Sequence, residues 1–245
     1  YILCGDSLQQ KMFLQYGIGM SVYVMMALSF LPLLCIFVIF RFTVSGFKVR
    51  YGFLAILLGL LSLVPIVILQ SFVRNLPVFT SNTLLAALIT ALLFNGLIEE
   101  SMKMVVLFLL PAKKMNFSTF FTLSLVAGLA LGCFETVIYL FSGYLDIEVR
   151  TATAVVMHCL CTGLSGVSVW LWKNPAKQKK TAWAPWLWAV LLHGSYNFFA
   201  GFSGFYRWFS LATIMLTALE SRIWYKKIGG IEGEENTADS PQDPS

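Results

Sequence analysis

The sequence predicts an all-α, polytopic membrane helix bundle of about seven transmembrane helices, and three observations predict it. Of the 245 residues, 58% are apolar and only 12% are charged. Several apolar runs exceed the roughly 20 residues that a helix needs to cross a bilayer. Basic residues gather at every second boundary between those runs. The runs are continuous, without the period-two alternation of barrel strands, and a helix satisfies its own backbone in lipid.

The spans follow in order, each bounded by charged or turn-forming residues. The first is expected near 16–40, before Arg41, and the second near 51–73, between Arg50 and Arg74. The third, 83–110, stops at Pro111 and Lys113-Lys114, and the fourth occupies 118–145. The fifth, 151–172, lies between Arg150 and Lys173; the sixth and seventh are 182–202 and 205–224, the last followed by Lys226-Lys227. Lys48, Lys177, Lys179 and Lys180 join the basic loops, whereas Arg74, Arg150 and Arg207 sit alone in the alternate ones. The positive-inside rule then puts the N-terminus outside and the C-terminus in the cytoplasm.

The chain divides into a membrane-embedded domain, 1–228, and a disordered acidic cytoplasmic tail, 229–245, which lacks core-forming residues. Residues 1–15 read as a polar lead-in, and a start at Tyr1 suggests that N-terminal residues are missing. The net charge of +5 is split among loops, so no nucleic acid is expected. Five cysteines, four of them in spans, give no disulfide framework. Cys159 and Cys161 flank His158 in sequence but point about 200° apart on a helix, which argues against a shared metal site.

Ionisable residues inside the spans carry the functional signal. A charge at mid-bilayer costs roughly 2.5 to 3.5 kcal/mol even on insertion scales, so such groups face a partner or a wet cavity. Asn95, Glu99 and Lys103 recur every four residues as a polar stripe, which lets Glu99 pair with Lys103. Glu100, turned by about 100°, is a second carboxylate for proton work. Gly128, Gly132, Glu135 and Tyr139 place a carboxylate on a face open to close helix approach. His158 shares a face with Thr162, Ser165 and Gly166, and His193 shares one with Asn197 and Gly201. A His/Asn pair at i and i+4 can aim two donors at a developing oxyanion.

These ordered motifs, Glu99-Glu100-x-x-Lys103, Phe134-Glu135, His158 after Arg150 and His193-x-x-x-Asn197, resemble those of the PrsW family of intramembrane proteases. They are more remotely similar to the type II CAAX prenyl endopeptidases. Those enzymes carry an arginine in place of Lys103 and a histidine where Glu135 stands, which argues against prenylated substrates. The resemblance spans about residues 83–201 and implies peptide-bond hydrolysis in or at the edge of the bilayer. The implied substrate is a single-span membrane protein, such as a membrane-anchored anti-sigma factor, and the implied location is the cell membrane.

A buried glutamate is a competent general base. Glu99 and Glu100 with His158 are therefore expected to activate water, and His193 with Asn197 to stabilise the oxyanion. Which glutamate is the base stays open at this point. His158 and His193 with Glu135 or Glu100 could also hold a catalytic Zn2+ with water in the fourth position, although no HExxH motif is present. Two other readings use the same buried groups: a proton- or ion-coupled transporter, and a non-catalytic scaffold that binds transmembrane helices.

Overall fold

The computed structural model describes residues 22–74, 76, 79, 83–143, 147–174 and 181–238, without the side chains of 147 and 231–238. The lead-in 1–15, Cys4, Lys177, Lys179, Lys180 and residues 239–245 lie outside them. Every regular element among the described residues is helical. Among the described residues, five helical stretches are long and apolar enough to cross a membrane, at Val22–Thr43, Val49–Val73, Leu84–Leu107, Phe117–Phe141 and Glu148–Lys173. The protein is thus a multi-pass membrane protein.

The first stretch comprises α1, Val22–Ser29, and α2, Leu31–Thr43, broken where Pro32 occupies the first turn of α2. Proline lacks the N–H that would continue the ladder but fits a helix start. Helix α3, Val49–Val73, packs so closely on the fourth span that a Cβ on Gly59 would run into the backbone of Ala127. The third stretch starts with α4, Leu84–Thr90, where Thr83 Oγ1 accepts from Ala86 N at 3.1 Å. It widens into a π-helix at Ala91–Ile98 and continues as α5, Glu99–Leu107. The π segment places the glutamate doublet at the first turn of α5.

Two helices form the centre. Helix α6, Phe117–Phe141, is capped by Asn116 Oδ1, which accepts from Thr119 N at 2.9 Å. Helix α7, Ile147–Lys173, lies against it. In their most apolar windows 72% and 83% of residues are buried, against 33% or less in the other three spans, so the remaining helices surround this pair. Lys173 Nζ donates to the carbonyls of Phe108 and Leu110 at 2.5 and 2.6 Å, closing acceptors that the end of α5 leaves open.

Helix α8, Ala184–Ala200, and α9, Trp208–Ala238, stand where the sixth and seventh spans are expected. At 17 residues α8 is shorter than any of the five membrane-spanning stretches. Helix α9 runs past the expected tail boundary at 228, because Gly229 and Gly230 keep negative φ and so do not end it. The bundle is inverted relative to a water-soluble one. Tyr23, Phe42, Phe72 and Met215 lie outward and exposed, while Lys103, Glu100 and His193 are buried, as expected when the surrounding solvent is lipid.

Candidate active site in the bundle interior

Four helices deliver the buried ionisable groups to one place. The start of α5 brings Glu99, Glu100 and Lys103; α6 brings Glu135; α7 brings His158; α8 brings His193. Close backbone approach makes this possible. A Cβ on Gly128 would lie 2.5 Å from His158 O, and one on Gly96 would lie 2.6 Å from Val190 O. The two imidazoles meet edge to face with centroids 4.9 Å apart.

Glu100 is fully committed. Its Oε1 accepts from Lys103 Nζ at 2.6 Å and from His193 Nδ1 at 2.7 Å, and its Oε2 accepts from Ser165 Oγ at 3.1 Å. The lysine therefore pairs with Glu100 and not, as the four-residue spacing suggested, with Glu99. Three residues on a helix bring side chains together as well as four do. Lys103 also donates to His158 Nδ1 at 3.0 Å.

Glu99 is the carboxylate left open. Gln70 of α3 donates to its Oε1 at 3.2 Å, while Oε2 lies 3.9 Å from His158 Nδ1 and 4.0 Å from His193 Nε2. The hydrogen-bond network assigns the tautomers. His193 Nδ1–H points at the Glu100 carboxylate, so its Nε2 lone pair faces Glu99. His158 accepts from Lys103 at Nδ1 and donates from Nε2 to Glu135 Oε2 at 2.5 Å.

The expected trio of His158, His193 and Glu135 is thus rearranged. Glu135 binds His158 Nε2, the ring nitrogen opposite the Nδ1 that faces Glu99, and it also receives Arg150 Nη2 at 2.8 Å. Glu99, His158 and His193 are instead the residues whose ligand atoms all fall within 4.8 Å of one another. Each histidine has its far nitrogen on a carboxylate, Glu135 or Glu100, an arrangement that orients imidazoles toward metal ions. Counted formally with neutral histidines, three carboxylates face two cations, Lys103 and Arg150, so the site carries one net negative charge, which favours a bound cation or a proton. The nitrogen and oxygen donor set fits such an ion, which would have to displace the Lys103 ammonium from the His158 Nδ1 lone pair.

Asn197 lies one turn beyond His193 and donates from Nδ2 to His193 O at 3.2 Å. It lines, with Asn95, a cavity of about 610 Å³. Asn95, expected on the Glu99 stripe, faces this cavity because the π segment alters the helix register between them. The sequence reading missed Gln70 and did not foresee that Arg150, noted only as the residue before the fifth span and in the motif with His158, would bind Glu135. Gln70 is an amide in the most apolar span, where a polar side chain is costly and itself a signal. Arg150, expected in a loop, belongs to the first turn of α7, with its guanidinium 3.6 Å over the Tyr139 ring.

Comparison with protein-family models matches residues 48–219 to the PrsW family of intramembrane metalloproteases, more than two thirds of the chain. The chain belongs to this family. The match extends beyond the motif-bearing stretch to α3, the helix that carries Gln70. Neither the curated proteins nor the solved structures returned a match.

Proposed function

We propose that this chain is an endopeptidase of the cell membrane that hydrolyses a peptide bond in or near the transmembrane segment of a single-span membrane protein, such as a membrane-anchored anti-sigma factor. The observation that carries the proposal is the convergence of two carboxylate-oriented imidazoles on the one uncommitted carboxylate, Glu99. Family membership supplies the reaction class.

Glu99 is the pivot of two readings. In the first, Glu99, His158 and His193 hold a metal ion, for which zinc suits the donors. When bound, such an ion acidifies water and polarises a carbonyl. In the second, favoured by the Lys103 to His158 contact, Glu99 Oε2 takes the proton of a water directly. The water oxygen then bonds to the scissile carbonyl carbon, the C–N bond breaks, and the proton passes to the leaving amine. The second Asn197 N–H is the donor offered to the oxyanion, and His193 joins it at Nε2 in its imidazolium form. Glu100 and Glu135 hold the two rings, and Lys103 and Arg150 hold those carboxylates.

The proposed topology has seven spans with the N-terminus outside, and it places the ends bearing Lys48, Lys113, Lys173 and Lys226 in the cytoplasm. One membrane domain, 1–228, carries the chemistry, with residues 229–245 as an appendage. The test is cleavage of single-span reporter peptides in liposomes. The native chain should yield product; Glu99→Gln, His158→Ala and His193→Ala should not; Glu220→Ala, on the last helix, should retain activity. Turnover by all the site variants would overturn the proposal. Metal analysis of native and Glu99→Gln protein separates the two readings: bound ion lost with Glu99 supports the first, and a metal-free active native chain supports the second.

A further inference from the structure

The cavity beside the site contains an unexplained polar group. Asn95, half-buried in the π segment, has no hydrogen-bond partner among the described residues, and its carboxamide lines the 610 Å³ space. Asn197 lines the same space; its Nδ2 is engaged by His193 O while its Oδ1 receives no donor among the described residues. Phe79, Phe198 and Phe202 complete the apolar wall. Asn95 and Asn197 belong to the same two helical stretches that carry Glu99 and His193, four residues away from each, so the space they line adjoins the site.

A substrate helix cannot be cut while its backbone is closed on itself. Unwinding it in a bilayer exposes N–H and C=O groups that each cost several kcal/mol if left bare. Asn95 offers a donor and an acceptor, and Asn197 offers an acceptor, which is the complement that an extended backbone needs. We infer that Asn95 and Asn197 form a clamp that binds the unwound backbone of the substrate segment next to the scissile bond, with the phenylalanines receiving an apolar side chain. The clamp selects for backbone conformation, and Asn95 is its part that no motif contains. This inference rests on the protease reading for the identity of its ligand.

The experiment uses the full chain in liposomes with a panel of synthetic single-span peptides, each also made with single backbone amides replaced by esters. Asn95→Leu, close in shape, should lower kcat/KM about tenfold on an all-amide peptide, the loss of one or two hydrogen bonds. It should cause little further loss on the peptide whose ester removes the contacted N–H. An equal loss on every ester peptide, or none on any, overturns the clamp. A second measurement is independent of turnover: benzoylphenylalanine placed at Ala87, an exposed residue of the cavity wall, should crosslink the peptide, and Asn95→Leu should reduce the yield. Crosslinking that depends on Asn95 without cleavage supports the clamp and overturns the protease reading. Cleavage without such crosslinking overturns the clamp alone.

Discussion

Replacing Gly128 by alanine should disable the site without touching a single ionisable group. The added Cβ would lie 2.5 Å from His158 O and 2.7 Å from both Thr162 Cβ and Oγ1. Ordinary contact begins at 3.4 Å, so α6 and α7 must separate locally by about 0.9 Å, the difference between those values. The obstructing oxygen is backbone and cannot swing aside. Glu135 rides on α6 and His158 on α7, so their 2.5 Å hydrogen bond would lengthen toward about 3.4 Å and weaken. Overpacking of this kind costs about 1–3 kcal/mol of stability. A misplacement of about 1 Å costs about 10²-fold in rate. The assay is cleavage of a reporter peptide in liposomes beside thermal unfolding in detergent. Gly229→Ala, whose Cβ meets nothing within 4 Å, is the control. A Gly128→Ala enzyme with native turnover would refute the claim that the α6–α7 spacing sets the histidine.

Three further substitutions probe the buried network. Lys103→Met strands Glu100, which is buried with two other donors, and should cost about 3–5 kcal/mol in unfolding experiments; adding Glu100→Gln should recover part of that loss, and a single variant as stable as the native chain would contradict the pairing. Gln70→Leu removes the donor to Glu99, a hydrogen bond worth about 0.5–1.5 kcal/mol; kcat should fall by up to about tenfold while the bundle stays folded by circular dichroism. Arg150→Met frees one side of Glu135, and a loss of about 10–100-fold in kcat is expected from disturbing a partner of a site histidine; unchanged kcat would reduce Arg150 to a packing role.

Much of this site is legible in the sequence because hydrocarbon makes buried charge conspicuous. Glu99, Glu100, Lys103, Glu135, His158 and His193 each interrupt an apolar run, and the structure brings all six together. Pairing was less legible. Spacing allows Lys103 to reach either glutamate, and only the tertiary arrival of His193 and Ser165 at Glu100 determines which one is saturated. The replacement of Glu135 by Glu99 in the convergent trio has the same origin, since ring orientation is a property of the assembled helices. Register failed where the helix itself changed type. Alpha-helical spacing put Asn95 in line with Glu99, and eight residues of π-helix invalidate that spacing.

The amide of Gln70 makes both its hydrogen bonds to the third span, one to Glu99 Oε1 at 3.2 Å and one to the Phe94 carbonyl inside the π segment at 3.4 Å. A π turn relaxing into regular α-helix would withdraw that carbonyl, and the side chain holding it is the same one that fixes the carboxylate. Backbone form and carboxylate position are therefore held by one side chain. Amide exchange across residues 91–98 should speed up when Gln70 is removed, so a slow, purely conformational signal would report on the readiness of Glu99.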